Sequence, residues 1–302
     1  MNELSNIGPW KFIMKIIFIF IDGIGIGEND PGKNPFVTAA SKVFPYQGKI
    51  ETIKEGVVGP TDATLGVEGF PQSATGQTTL FTGINAPLLL GRHLWGFPNT
   101  KLNHVLSEFN ILKQVREKGR RSTFINTYRP IFFKSGGKLP CSATTVSAVS
   151  AGVRLNTLDD IRNRKSLYHD FTCRVLIDEG YDVPLFTPEE AGEILANSAM
   201  DYDLTLYEYF LTDRNGHDLR DTQKAVFLVK QLEVFIESVL QNTDLKSTLV
   251  ILSSDHGNFE DLSQKGHTKN PVPTILWGMG REEIGRKIHS LCDVTPTLLE
   301  VV

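Results

Sequence analysis

Between Lys15 and Ile21 the chain reads KIIFIFI and then breaks off at Asp22-Gly23. A run of β-branched and aromatic residues without polar alternation suits a strand buried on both faces, and such a strand needs helices packed above and below it. The apolar stretch opens at Phe12, but it is too short to span a bilayer, carries Lys15 and is followed by no small-residue cleavage site. A buried first strand is therefore expected here rather than a signal or membrane segment. Residues before Met14 are expected to be an upstream extension.

The rest of the chain supplies the covering helices. Leu102, Val105, Leu106, Phe109, Leu112 and Val115 recur at helical spacing, predicting one helix over 102–118 closed by Gly119, then a strand over 122–127. Pro188 opens a helix through Ser198, Leu204 to Leu211 reads as a strand, Thr222 to Leu240 as a long amphipathic helix, and Thr248 to Leu252 as another buried strand. Strands alternating with helices predict a doubly wound, mostly parallel α/β sheet whose ligands sit beyond the carboxyl ends of the strands. The stretch 128–186 breaks the alternation with Ser135-Gly136-Gly137, small polar residues from Cys141 to Gly152 and a charged run from Asp159 to Lys165. It is read as a small inserted cap, leaving 14–127 and 187–302 as the core.

With 302 residues, 40% of them hydrophobic, the chain has enough material for such a core with an insertion. Its formal charge of -4 is spread along the chain with no basic run, which disfavours nucleic acid as a partner. Cys141, Cys173 and Cys292 are too few and too far apart for a disulfide framework or a CxxC metal site, so reduced thiols and a cytoplasmic location are expected.

Chemistry gathers where strands end. Asp213-Arg-Asn-Gly-His217 places a carboxylate and an imidazole four residues apart after a strand, on a glycine-containing turn. Alone, such a pair is more often a solvated turn. Asp255-His256-Gly257-Asn258 sets two adjacent ligands at a strand exit, and His267 precedes the strand-like 274–277. Together with Asp22 these give three carboxylates and three imidazoles, a set that suits two ions. Mixed nitrogen and oxygen donors favour Mn²⁺, with Zn²⁺ second, over Mg²⁺ or Ca²⁺. His93, His104, His169 and His289 lie outside these motifs and default to surface or packing roles. Gly23, Gly25 and Gly27 also follow a strand, but the spacing is not that of a dinucleotide fingerprint and no helix opens there. Among the hydroxyls of 73–82, Ser73 stands at the expected N-cap of a helix ending at Gly83, where amides and dipole favour an oxyanion.

The order of these parts resembles the alkaline-phosphatase superfamily, and within it the branch of cofactor-independent phosphoglycerate mutase and phosphopentomutase. The resemblance rests on Ile-Asp22-Gly, Ser73-Ala-Thr-Gly-Gln77, Asp213-x-x-x-His217, Asp255-His256-Gly-Asn, Gly-His267-Thr-x-Asn-Pro-Val-Pro and Asp293-Val-Thr-Pro-Thr-Leu-Leu. It implies that Asp22, Ser73, Asp255 and His256 hold one divalent ion and Asp213, His217 and His267 the other. It also implies Ser73 as nucleophile, ten residues before Gly83, and a small phosphorylated substrate processed through phosphoserine by a phosphatase or a phosphomutase. Gln77 stands where those mutases carry histidine, and the cations Arg92, His93, Arg129, Lys134, Arg154, Arg174 and Arg214 are candidate phosphate contacts. Three other readings compete: a phosphodiesterase; a sulfatase, whose expected proline and arginine after the nucleophile are absent; and a non-catalytic metal-binding protein, which would have lost ligands.

Overall fold

The strand that opens the sequence is the middle of the molecule. In a computed structural model describing residues 14–136, 140–218 and 221–302, β1 (Lys15–Ile21) lies between two parallel neighbours, β4 (Leu204–Tyr209) and β5 (Thr248–Ser253). The expected upstream extension, with Phe12 and Ile13, and Gly137 lie outside the described residues. With β2 (Val57–Thr61), β3 (Ser122–Phe124) and β6 (Val272–Gly278) the sheet has six strands in the order β2-β6-β5-β1-β4-β3. β3 is parallel to β4, while β6 runs antiparallel to both β5 and β2.

Alternation of side chains on β1 feeds two cores. Ile17, Ile19 and Ile21 join Tyr207, Val250 and Leu252 on one face, under the Pro188–Ala199 and Thr222–Asn242 helices. Phe18 and Phe20 join Leu206, Ile251, Leu80 and Phe81 on the other. Each such side chain is worth about 1.5–3 kcal/mol over leaving it exposed, so one strand anchors both layers. The mostly parallel α/β architecture expected from the sequence is thus present.

Several boundaries differ from the sequence reading. The single helix expected over 102–118 is two, Thr100–Phe109 and Ile111–Glu117. Asn110 causes the break: its backbone is extended (φ -69°, ψ 150°), and its buried side chain accepts from Lys113 N at 2.9 Å and donates to the Leu106 carbonyl at 2.7 Å. Periodicity cannot see this, because the apolar spacing carries on through the break. The strand after Gly119 ends at Phe124, since Asn126 and Thr127 bridge to Leu167 and Asn156 instead of to the sheet. The 128–186 stretch supplies buried residues to both cores, among them Leu158, Leu167 and Phe171 on one side and Ala143 and Ala148 on the other. Among the described residues no helix is long and apolar enough to cross a membrane.

Sheet polarity sets up the site. The carboxyl ends of β1, β4 and β5 lie at one edge, and because β6 is reversed its beginning lies there too. Replacing Asn110 with alanine should destabilise the chain by about 1–3 kcal/mol, since a cap and a buried hydrogen bond go together. Urea unfolding measures it; an unchanged midpoint would show that the break does not depend on that side chain.

Candidate metal centre

Asp22 is the first residue past β1, and its position depends on the glycine behind it. Gly23 takes φ +75°, and a Cβ there would lie 2.8 Å from the Asp213 Cβ, so only glycine lets the β1 exit and the following residues of β4's connection meet. Asp213 and His217 were expected on a glycine-containing turn. They lie instead one turn apart in the Leu211–Asp218 helix, which puts both side chains on one face. Asp255 and His256 follow β5. His267 ends the excursion from β5 back to β6, where Gly257 and Thr268 form an antiparallel bridge.

All six Asp and His residues singled out as candidate ligands come together, in two groups: Asp22, Asp255 and His256, all buried, and Asp213, His217 and His267, of which Asp213 and His217 lie closer to solvent. In the second group His217 Nε2 lies 3.1 Å from His267 Nε2 and 3.3 Å from Asp213 Oδ1, and His267 Nε2 lies 3.7 Å from the same oxygen. Bonds of about 2.1 Å to a tetrahedral ion put ligand atoms roughly 3.4 Å apart, so these donors have the spacing an ion requires. In the first group His256 Nε2 is 3.2 Å from Asp22 Oδ1 and 3.6 Å from Asp255 Oδ2. The imidazoles of His256 and His267 stack at 3.7 Å, joining the two groups.

Ser73 Oγ approaches His256 Nε2 at 3.1 Å and so belongs with the buried group. The serine is the first helical residue of Ser73–Thr82 and not its cap: Gln72 has the extended backbone of the N-cap. That correction frees the hydroxyl from capping duty. Thr75, Thr78, Thr79 and Thr82 instead spend theirs on backbone carbonyls of the same segment. Helix and β5 exit meet closely at Gly76, where a Cβ would fall 2.5 Å from the Asp255 carbonyl oxygen.

Electrostatics argue that the groups suit cations. Burial, then the charge of Asp255, pushes the Asp22 carboxyl well above the usual carboxylate range, and burial likewise raises Asp255. Apart from the His256 contact, the buried Asp22 Oδ1 makes no hydrogen bond among the described residues. Burial opposes protonation of His256, yet Asp255, Asp22 and Asp213 outweigh it and lift the imidazole to about 10. His267 goes the other way, down to about 3, through burial and the neighbouring His256 charge. For Asp213 burial is opposed by hydrogen bonds from His217 and Asn258 and by the charge of His256, which hold it below the usual range. Divalent cations would neutralise this crowded carboxylate set, and the residues present fit them.

Some contributors were missed in the sequence. Gln77 donates through Nε2 to Asp22 Oδ2 and Asp255 Oδ2, both at 3.0 Å, tying the two carboxylates together. Its place one turn after Ser73 was a usable signal, since residues four apart share a helix face. Asn258 donates to Asp213 Oδ1 at 2.8 Å. Glu260, fully buried, accepts from the backbone of Gly25 and Asn258 and from the side chains of Thr268 and Asn270, gathering the loops around the site. Gly25 therefore packs on Glu260, with no helix opening after β1 and no dinucleotide cradle. The Pro71 carbonyl, invisible in any motif, lies 2.7 Å from His267 Nδ1; a proton there leaves Nε2 as the ligand atom.

Metal loading should release protons. Below about pH 10 the metal-free chain keeps His256 protonated, and a cation bound to that nitrogen must expel the proton. Adding Mn²⁺ at pH 7.5 in a pH-stat should liberate about one proton per chain from this group, with apparent affinity rising as pH rises. Binding without net release would contradict it.

The comparisons with known proteins fit this geometry. A model of the metalloenzyme superfamily matches residues 184–302. The 2,3-bisphosphoglycerate-independent phosphoglycerate mutase of Ehrlichia canis is 30% identical over 131 residues, 38% of this chain and 25% of that one. The Methanosarcina barkeri enzyme of that name, form 1, is 27% identical over 215 residues, covering 68% of this chain and 37% of its own length. The match thus spans about a quarter to over a third of these relatives. Among solved structures, alkaline phosphatase from the Antarctic bacterium TAB5 superposes with a TM-score of 0.52 at 14% identity, covering 96% of this chain and 98% of that one. A cold-active alkaline phosphatase from Shewanella sp. gives 0.53 at 11% identity, covering 95% and 99%. Sequence likeness to the metalloenzyme superfamily lies in residues 184–302, which carry Asp213, His217, Asp255, His256 and His267, while the fold likeness to the alkaline phosphatases runs the length of the chain; the chain is similar to both, and over part of its length to cofactor-independent phosphoglycerate mutase.

Proposed function

We propose that this chain transfers the phosphoryl group of a small phosphomonoester through Ser73, with two divalent ions held by Asp22, Asp255 and His256 and by Asp213, His217 and His267. The observation that carries this reading is the Ser73 hydroxyl, alone among its helix's hydroxyls in facing the ligand cluster, 3.1 Å from His256 Nε2. Bound ions would supply Lewis acidity toward the attacking hydroxyl and the phosphoryl oxygens. The chain supplies the rest. The first-turn amides and dipole of the Ser73–Thr82 helix stabilise a phosphoryl group arriving at its N-terminus. Gln77 and Asn258 keep the carboxylates from turning away. The oxygen–phosphorus bond to the departing alcohol breaks as the bond to Ser73 forms, and the phosphoserine is then resolved by water or by a second hydroxyl.

Hydrolysis is the favoured outcome. A mutase must hold its substrate through reorientation, which calls for fixed cations and a water-excluding lid. Here Arg129, Arg154 and Arg174 are matched with Glu179, Asp160 and Asp178. The 128–186 cap, short for that duty, is proposed as a wall that shapes the substrate side. Mn²⁺ is the favoured ion and Zn²⁺ the alternative. A phosphodiesterase remains the second reading, separated by bis-ester assays.

Ser73→Ala should remove the phosphoenzyme and lower kcat at least about a thousandfold while leaving metal content intact. Mass spectrometry after a substrate quench locates the phosphate; finding it on Thr75 or Thr78 would overturn the assignment. Elemental analysis after Mn²⁺ loading should give two ions per chain, and His267→Ala should lose the second before the first. Inorganic phosphate should exceed intramolecular transfer products on 3-phosphoglycerate and pentose 1-phosphates, and transfer with negligible phosphate release would make the enzyme a mutase.

A further inference from the structure

Beside the metal centre, past the end of β4, lies a cavity of ≈ 200 Å³ that the proposed chemistry does not use. Side chains of Tyr128, Phe132, Tyr168, His169 and Phe210 form much of its wall, and Glu208 lies among them. The rings are packed on one another: Tyr128 against Phe132 at 4.6 Å, and His169 between Tyr168 at 4.1 Å and Phe210 at 4.0 Å. A cavity of about 150 Å³ is known to admit benzene, so this one has room for a single ring and a short polar arm.

One polar group in it is open to a ligand. Glu208 accepts from Thr144 through Oε2 at 2.8 Å, while its Oε1 makes no hydrogen bond among the described residues. His169, 8% exposed, adds its ring to the wall, while its Nδ1 is closed off from the cavity and makes no hydrogen bond among the described residues. Burial raises Glu208 to about 7 and, with the nearby Arg214 and Arg129, lowers His169 to about 3. Among the described residues the one cation in the wall, Arg129, is engaged by Glu179 at 2.7 Å. Aromatic walls, one open carboxyl oxygen and no spare positive charge among the described residues suit an uncharged ring with a hydroxyl or amine donor better than a second acidic group.

Register places the cavity next to the chemistry. Glu208 pairs with Phe20 on β1, two residues before Asp22, and Phe18, Phe20 and Leu206 share the face on which Thr144 meets Glu208. Strand rise and spacing put the Glu208 and Asp22 backbones roughly 8 Å apart. Phe210, in the wall, directly precedes the Leu211–Asp218 helix that carries Asp213 and His217.

We propose that this cavity receives the alcohol side of the substrate, as a single uncharged, preferably aromatic, ring whose donor is held by Glu208. The proposal rests on the phosphoryl-transfer reading above. Benzyl and ethyl phosphate release alcohols of similar acidity and differ in the ring, so their kcat/KM values isolate its contribution. With Mn²⁺-loaded protein the benzyl ester should be favoured at least about tenfold, and Ile131→Trp, at a half-exposed wall position, should shrink that ratio. Independently of turnover, 4-fluorobenzyl alcohol followed by ¹⁹F NMR should bind saturably and about tenfold more weakly to Ile131→Trp, with circular dichroism confirming the fold. No saturable binding, or binding and ratio both indifferent to Ile131→Trp, overturns the pocket while leaving the phosphoryl-transfer reading in place. Saturable binding sensitive to Ile131→Trp, with neither ester turned over, overturns that reading and reduces the cavity to a ring site without a role in substrate choice.

Discussion

Three carboxylates drawn into a space nearly closed to water are the constraint around which the rest is arranged. Asp22, Asp213 and Asp255 could relieve their repulsion by turning outward or by taking up protons. Turning outward is opposed, because each is held by donors from a different part of the chain: Gln77, Asn258 and the Gly23 amide. The protein has therefore built a negative hollow and given it the rigidity to stay one. Removing the repulsion by cations rather than by motion turns a cost in folding into a selective affinity.

The imidazoles make the two halves of the hollow respond together. His256 and His267 lie face to face, one lifted to about 10 by its acidic surroundings and the other lowered to about 3 by burial and by that neighbour. A charge on one ring disfavours a charge on the other. Replacing the proton on His256 by a metal ion keeps positive charge beside His267 and keeps His267 neutral, the form in which its Nε2 lone pair is available.

Much of this was legible because polar residues interrupting buried strands are conspicuous: Asp22 after KIIFIFI and Asp255-His256 after TLVILS advertise strand exits, and parallel strands point their exits the same way. What escaped has physical reasons. The periodicity of 102–118 runs unbroken through a cap, so a break made by one side chain's hydrogen bonds was hidden. The reversal of β6 has no local signature, since strand direction is decided by pairing. Glu260 and the Pro71 carbonyl act through contacts between loops distant in sequence, and Gln77 looked like a departure from a pattern while its position on the helix already faced the carboxylates. The grouping of 128–186 by its composition says nothing of how its residues distribute between the two cores.

The reversal of β6 has one more consequence, for the order in which the molecule is completed. Asp22 and Ser73 leave the ribosome well ahead of the strand that flanks β1 on one side and of the hairpin that returns His256 and His267 to the same edge, both made only from residue 248 on. Until then β1 has an open flank and the early ligands face no partners. Closure of the hollow is therefore a long-range event in the life of the nascent chain, and an ion captured at that moment latches the exit of β1 to the exit of β5.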